Sequence, residues 1–122
     1  MMWYCAHAIF YYRYDGQDSY PVHENVYLIS APAEEQAMRA AAAIAAEYEQ
    51  LGGDSQLEID GRKAEYVFAG VRKLISIESG VEDFGVDAAS GVEVTYSAFD
   101  VESLADVLSL ASGDPVAVVY RE

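Results

Sequence analysis

Three side chains in the first part of the chain carry the nitrogen and sulfur atoms that bind metals or act as nucleophiles. Cys5 and His7 are two residues apart, so on a strand they project to the same face, and His23 opens the next predicted strand. The three could meet as metal ligands, or as a cysteine–histidine nucleophile pair. Their spacing matches no close-spaced zinc pattern, and a small buried cysteine with histidines at the rim is the simpler interpretation. We therefore predict no metal site, no cofactor and no catalytic residue.

The other motifs also favour no particular reaction. Gly52-Gly53 follows a predicted helix, whereas an anion-binding loop precedes one, so nucleotide binding is not predicted. The acidic loop 79–90 lacks the ligand spacing of an EF-hand and is interpreted as solvated. Ten tyrosines stand against four phenylalanines, and tyrosine suits core margins or, alternatively, a protein-binding face. The sequence does not decide whether the protein is an enzyme, and we favour the interpretation that it is not.

The charge is the strongest compositional signal. The chain has 21 Asp plus Glu against 7 Lys plus Arg, a formal net charge of −14. Such a field repels phosphate backbones and anionic lipid heads, so we predict neither direct nucleic-acid binding nor membrane binding. No Lys, Arg or His occurs between Lys73 and Arg121. Solubility, adaptation to high salt and recognition of a basic partner are the three explanations that fit this excess.

Length and composition predict one folded domain, residues 1–122. Hydrophobic residues make up 52% of the chain and charged residues 23%, which is ordinary for a globular domain. Residues 1–10 lack the basic leader of a secretory signal, and no apolar run approaches the roughly 18 to 20 residues that a membrane helix needs. A single cysteine excludes an internal disulfide. We expect a cytoplasmic protein, and the composition leaves its oligomeric state open.

The first half of the chain predicts a hairpin followed by a long helix. The aromatic and β-branched run 3–14 is typical of a strand with both faces largely covered. The turn residues Asp15-Gly16 join it to a strand over 22–30. A helix is predicted to begin at Pro32 and to end before Gly52-Gly53.

The second half predicts mostly strands. The predicted elements are a turn at Asp60-Gly61, strands 64–69 and 71–78 on either side of Gly70, a half-buried strand 91–99, a short helix capped by Asp100 and ended by Gly113, and a strand 116–120. In the strand 91–99, Val92, Val94 and Tyr96 alternate with polar residues. The order β-β-α-β-β-β-α-β predicts an α+β fold: one long and one short helix packed on a largely antiparallel sheet of five to six strands. We expect both helices on one face of the sheet.

Several segments resemble an uncharacterised bacterial domain-of-unknown-function family whose members open with a Trp-Tyr strand. The matching residues are Trp3-Tyr4 with Ala6 and Ile9-Phe10, Leu28-Ile29-Ser30-Ala31 with Glu34-Glu35 and Ala37, Phe68-Ala69-Gly70-Val71 with Leu74, and Gly91, Glu93-Val94 and Tyr96-Ser97. The resemblance spans about residues 3–97; Thr95 is inserted relative to the family pattern, and residues 100–120 lie beyond its usual end. It implies a small α+β bacterial domain and supplies no catalytic residues.

These observations together favour a small acidic, non-enzymatic binding protein. Domains of this type are often immunity or inhibitor proteins, so the expected partner is a basic protein surface, on a toxin or on a nucleic-acid-binding protein. The predicted partner-binding residues are Glu78, Glu82, Asp83, Asp87, Glu93, Asp100, Glu102 and Asp106. The alternative is a small-molecule-binding or enzymatic α+β domain of unspecified reaction, with a pocket near Cys5, His7 and His23.

Overall fold

The fold begins with a long antiparallel hairpin. The computed structural model describes residues 2–54, 58–59, 61–77 and 90–121. Strands β1 (Met2–Arg13) and β2 (Tyr20–Ala31) pair along nearly their whole length, and the register places Phe10 opposite His23. The predicted hairpin is confirmed.

The remaining elements complete a five-stranded sheet and two helices. In chain order they are α1 (Glu34–Asp54), β3 (Glu58–Ile59), β4 (Arg62–Lys63), β5 (Glu65–Ile77), β6 (Val92–Val101), α2 (Leu104–Ala111) and β7 (Val119–Tyr120). The sheet order is β5-β1-β2-β6-β7 with every pair antiparallel, and β3 and β4 form a separate small hairpin. The predicted α+β class is confirmed. Neither described helix is long and apolar enough to cross a membrane.

A single strand, β5, replaces the two strands predicted around Gly70. β5 pairs with β1 from end to end, and the register skips Ala69 and Arg72, which are the extra residues of two bulges. Gly70 lies between them with φ +154, and a Cβ there would approach the Ala111 Cβ to 3.4 Å. The missing Cβ therefore allows the positive φ of the bulged backbone, so the strand bends without ending.

The two helices pack on opposite faces of the sheet, so the expectation of one shared face is wrong. Even-numbered residues of β1 pack against α1 in a cluster that contains Tyr4, Ala6, Ala8, Phe10, Ala37, Ala41 and Ala45. Odd-numbered residues of β1 pack against α2 in a cluster that contains Ile9, Tyr11, Val107, Leu110 and Ala111. Successive strand residues point to opposite faces, so the two clusters are separated by the sheet. A strand apolar on both faces requires a covering layer on each.

The second helix begins later than the sequence predicts. Ser103 is the N-cap of α2, because its Oγ accepts a hydrogen bond of 3.1 Å from the backbone N–H of Asp106. Asp100 instead belongs to β6, which continues to Val101 and pairs there with β7. Burial of Phe99 and Val101 under α2 explains the longer strand.

Candidate functional site

Four strands bring aromatic side chains together around His23, on the α1 face of the sheet. The register sets Phe10 opposite His23 and Tyr12 opposite Tyr66, and His23 and Tyr66 lie on strands that flank β1 on either side. The His23 ring centroid lies 5.3 Å from that of Tyr12, 5.8 Å from that of Tyr66 and 6.1 Å from that of Tyr96. Phe10 stacks on Tyr66 at 4.8 Å and supports the cluster from the core.

A chain of side-chain hydrogen bonds links this cluster to the core. Asn25, which is buried, donates from Nδ2 to the hydroxyl oxygens of Tyr27 and Tyr66, each at 3.3 Å. The Tyr66 hydroxyl in turn lies 3.3 Å from His23 Nδ1. Since the Tyr66 oxygen accepts from Asn25, its own hydrogen is available for His23 Nδ1. We assign Nδ1 as the acceptor of this bond, so the neutral imidazole carries its hydrogen at Nε2.

Burial favours the neutral forms of the titratable side chains in this series of hydrogen bonds. Desolvation raises the pKa of Tyr27 to about 12 and also raises the pKa of Tyr66. Desolvation lowers the pKa of His23, and the positive charge of Arg121 lowers it further. A neutral His23 is the form that accepts the Tyr66 hydrogen bond, so the pKa direction and the geometry agree.

A cleft of about 520 Å³ opens beside this cluster. We call it the His23 cleft; it is lined by Tyr12, Tyr14, Gly16, Gln17, Asp18, Ser19, Pro21, Val22, His23, Ile59, Arg62, Ala98, Phe99 and Arg121. A second concavity adjoins it across His23, Ala98 and Arg121. The lining residues come from β1, β2 and the turn between them, the small β3–β4 hairpin, β6 and the segment after β7.

Local hydrogen bonds fix the walls of the cleft. Gln17 donates from Nε2 to the carbonyl oxygens of Tyr12 and Ser19, both at 3.1 Å, and its Oε1 accepts from the backbone N–H of Tyr14 at 3.0 Å. Arg62 Nη1 donates to the Asp15 carbonyl oxygen at 2.8 Å. The Gln17 bonds fix the β1–β2 turn internally, and the Arg62 bond joins that turn to the β3–β4 hairpin.

Arg121 is held at the other side of the cleft. Its Nε donates to Asp100 Oδ2 at 2.8 Å, and its backbone N–H donates to the Ala98 carbonyl oxygen at 2.9 Å. The second carboxylate oxygen of Asp100, Oδ1, is buried without a hydrogen-bond partner among the described residues. Asp100 therefore serves first to position Arg121.

Cys5, His7 and His23 do not come together. His23 lies on the α1 face, whereas Cys5 and His7 lie on the opposite face with Ile9, because odd-numbered residues of β1 share that face. His7 Nδ1 contacts Glu24 Oε2 at 2.8 Å, and Glu24 Oε1 lies 3.7 Å from Arg72 Nε. Desolvation raises the pKa of the Cys5 thiol, which is the wrong direction for a reactive thiolate.

The predicted partner-binding carboxylates fall into two groups. Glu78, Glu82, Asp83 and Asp87 lie outside the described residues. Of the other four, Glu93 and Glu102 are exposed, Asp106 is partly buried in the first turn of α2, and Asp100 is paired with Arg121. Glu93 and Glu102 are thus the two exposed and unpaired carboxylates among the four predicted partner-binding residues that the structure describes.

An exposed apolar surface lies in the same acidic part of the chain, and sequence reasoning missed it. Val92, Val94 and Tyr96 are 46%, 51% and 62% exposed, and the polar residues 93, 95 and 97 are exposed as well, so neither side of β6 is buried along 92–97. A register shift between Val26 and Tyr27 of β2 leaves Val94 without a partner. We name this surface the β6–β7 edge, and it consists of Val92, Val94, Tyr96, Val119 and Tyr120. The many large apolar residues after Gly91 are the sequence feature that could have indicated this exposed surface.

Comparison with known proteins gives one match. A family model described as "Domain of unknown function (DUF4288)" matches residues 3–97, which include β1, β2, α1, β5 and the first part of β6. The resemblance seen in the Trp3-Tyr4 strand and the later segments is thereby confirmed. No curated protein and no solved structure matches the chain. Since the matched region covers well over half of the 122 residues, this chain belongs to the DUF4288 family.

Proposed function

We propose that this protein is a non-enzymatic, acidic binding protein of the immunity or inhibitor type, which recognises a basic protein surface. The observation that carries the proposal is that exposed apolar side chains and the acidic excess fall in the same stretch of sequence. Seven of the ten exposed large hydrophobic residues among those described lie between Val92 and Tyr120, inside the stretch that has no Lys, Arg or His. Apolar contact area and negative charge therefore occupy the same part of the chain.

The composition of this surface suits a protein interface. Interfaces combine a desolvated apolar centre, often with tyrosine, and a polar rim that sets partner choice. Tyr96 and Tyr120 supply exposed rings, and Glu93 lies between the exposed Val92 and Val94. The nearby basic group, Arg121, is already paired with Asp100. The surface therefore favours a partner that brings its own positive charge.

The backbone at this edge supports the same proposal. β7 pairs only with Phe99 and Asp100 of β6, and the Arg121 N–H reaches Ala98. Within the described part of the chain, the outer side of 92–97 has no neighbouring strand. Such an edge accepts an extended segment by strand addition, with main-chain bonds for affinity and side chains for selection. Basic toxins and nucleic-acid-binding proteins both offer segments of suitable charge.

Affinity capture with a matched pair of variants tests the proposal. The immobilised protein, Val94→Lys and Ile75→Lys are each exposed to a lysate of the source organism at low and at high salt. Ile75 is the control because it is 47% exposed on β5, the opposite edge of the sheet, so the added charge and the lost apolar area are similar.

We expect the unaltered chain and Ile75→Lys to retain a basic protein at low salt and to release it at high salt. Val94→Lys should not retain this protein. Equal retention by Val94→Lys and Ile75→Lys would contradict the proposal, and so would the absence of any salt-sensitive basic protein.

A further inference from the structure

We infer that the His23 cleft binds a small organic anion: a flat ring that carries a carboxylate or a phosphate. This inference is independent of the protein partner proposed above. The volume of about 520 Å³ lies within the range of pockets that hold small molecules. The lining combines hydrogen-bond donors with aromatic rings, and these two chemistries define the ligand class.

The lining of the His23 cleft is richer in basic side chains than the rest of the polypeptide. Two of the seven Lys and Arg residues, Arg62 and Arg121, line the cleft together with one of the two histidines. A guanidinium carries five N–H donors in a planar fork that matches carboxylate and phosphate oxygens. Each of these arginines has one side-chain N–H engaged, by the Asp15 carbonyl and by Asp100 respectively. The remaining donors make an anion the natural ligand.

Two carboxylates at the cleft match the two guanidinium charges, so the preference for an anion depends on the free N–H donors and not on net charge. Asp18 also lines the cleft, and Asp100 lies behind Arg121, where its Oδ2 contacts the Arg121 Nε. Carboxylates farther away are screened, because the Debye length at physiological ionic strength is about 8 Å. A ligand in the cleft therefore responds mainly to the two guanidinium groups and to the charges within contact distance of them.

The donors are held in place before any ligand arrives. Gly16 has φ +71, and a Cβ there would come within 3.0 Å of Arg62 Nη1, so glycine leaves room for the arginine. Tyr66 holds His23 Nδ1, which leaves Nε2–H as the free donor of the imidazole, and His23 lines the cleft. Donors that are already ordered lose little conformational entropy on binding, which favours affinity.

The aromatic side chains account for the flat ring. Tyr12 and Tyr14 both line the cleft, and the Tyr12 ring meets the His23 ring nearly edge-on, with an interplanar angle of 88°. Tyrosine faces contribute favourable stacking to a planar ligand. A ring bearing an acidic group would use the tyrosines and the guanidinium groups at once.

Calorimetric titration with three probes tests the inference: benzoate, adenosine monophosphate and inorganic phosphate. Each is titrated into the full chain, Arg62→Gln, Arg121→Gln and the control Arg39→Gln. Arg39 pairs with Glu35 on the exposed side of α1 and does not line the cleft. Arg62→Gln leaves the Arg121–Asp100 pair intact, so the test stands even if Arg121→Gln fails to fold.

We expect saturable binding of at least one ring-bearing probe, weakened about tenfold by loss of either cleft arginine and unchanged in Arg39→Gln. Saturable binding of either benzoate or the nucleotide supports the inference. The inference is overturned if no probe saturates, if Arg39→Gln weakens binding as much as Arg62→Gln, or if inorganic phosphate binds as tightly as the ring-bearing probes.

Discussion

The Tyr66 hydroxyl lies 3.3 Å from His23 Nδ1, and this contact joins β5 to β2 across the intervening strand β1. With Nδ1 assigned as the acceptor from Tyr66, the neutral imidazole carries its hydrogen at Nε2. The contact depends on the register of three strands, with Tyr12 opposite Tyr66 and Phe10 opposite His23.

Removal of the hydroxyl in Tyr66→Phe should raise the pKa of His23. The hydrogen bond from Tyr66 stabilises the neutral imidazole, so its loss favours protonation. Asn25 loses one of its two tyrosine acceptors, and stability should fall by about 1 kcal/mol. Titration of the His23 ring signals by NMR measures the pKa, and Tyr12→Phe is the control because its ring meets His23 edge-on. An unchanged His23 pKa in Tyr66→Phe would contradict the assigned hydrogen-bond direction.

His23 should make the fold less stable as the pH falls below 6.5. Its pKa in the folded chain is lowered from 6.5 by burial and by Arg121, so the unfolded chain binds more protons in this window. Stability is therefore fully present above 6.5 and declines as the pH approaches the folded pKa. Urea unfolding across this range measures the slope, and His23→Gln should flatten it. An equal slope in the variant would show that another group is responsible.

Gly70→Ala should destabilise the fold by about 1–3 kcal/mol. The substitution forces an alanine into φ +154 and places its Cβ 3.4 Å from the Ala111 Cβ, under α2. Gly61→Ala is the control, because Gly61 also has a positive φ of +76 but no atom within 4 Å of the added Cβ. Denaturant unfolding compares the two. A loss in Gly61→Ala as large as that in Gly70→Ala would contradict the greater backbone strain expected at φ +154.

Ala41→Leu should cost about 1–3 kcal/mol, because it overpacks the contact between α1 and the sheet. Ala41 is fully buried, whereas Ala43 is exposed on the same helix. Ala43→Leu is thus a control of the same size change and a similar helix propensity, and it should leave stability almost unaltered. Thermal unfolding of the two variants checks the expectation. Equal melting temperatures would contradict the close approach of α1.

The elements with strong local patterns could be predicted, and their arrangement could not. The apolar run of β1 and the turn at Asp15-Gly16 predict the hairpin, and the continuous hydrophobicity of β1 contains the information that both faces are covered. The placement of α1 and α2 on opposite faces depends on whether each helix covers the even-numbered or the odd-numbered residues of β1. Tertiary contacts determine which face each helix covers, and helix periodicity alone does not specify it.

The His23 cleft was harder to predict because its parts are far apart in sequence. Tyr12, His23, Arg62 and Arg121 meet only after β5 and β6 have been paired with the hairpin. The register of both added strands is shifted by bulges, and those shifts are not readable from alternation. For the same reason, the alternation of Val92, Val94 and Tyr96 predicted one buried side where residues 92–97 are exposed on both sides.

Hydrogen exchange at β6 tests the proposed protein-binding role most directly. The full chain is compared with and without the basic protein that it captures, and protection is followed along β6 and along β5, the opposite edge. The proposal predicts slower exchange of the amides in 92–97 when the partner is bound, and no change over Glu65–Ile77. Unchanged exchange in 92–97, or protection confined to β5, would contradict it.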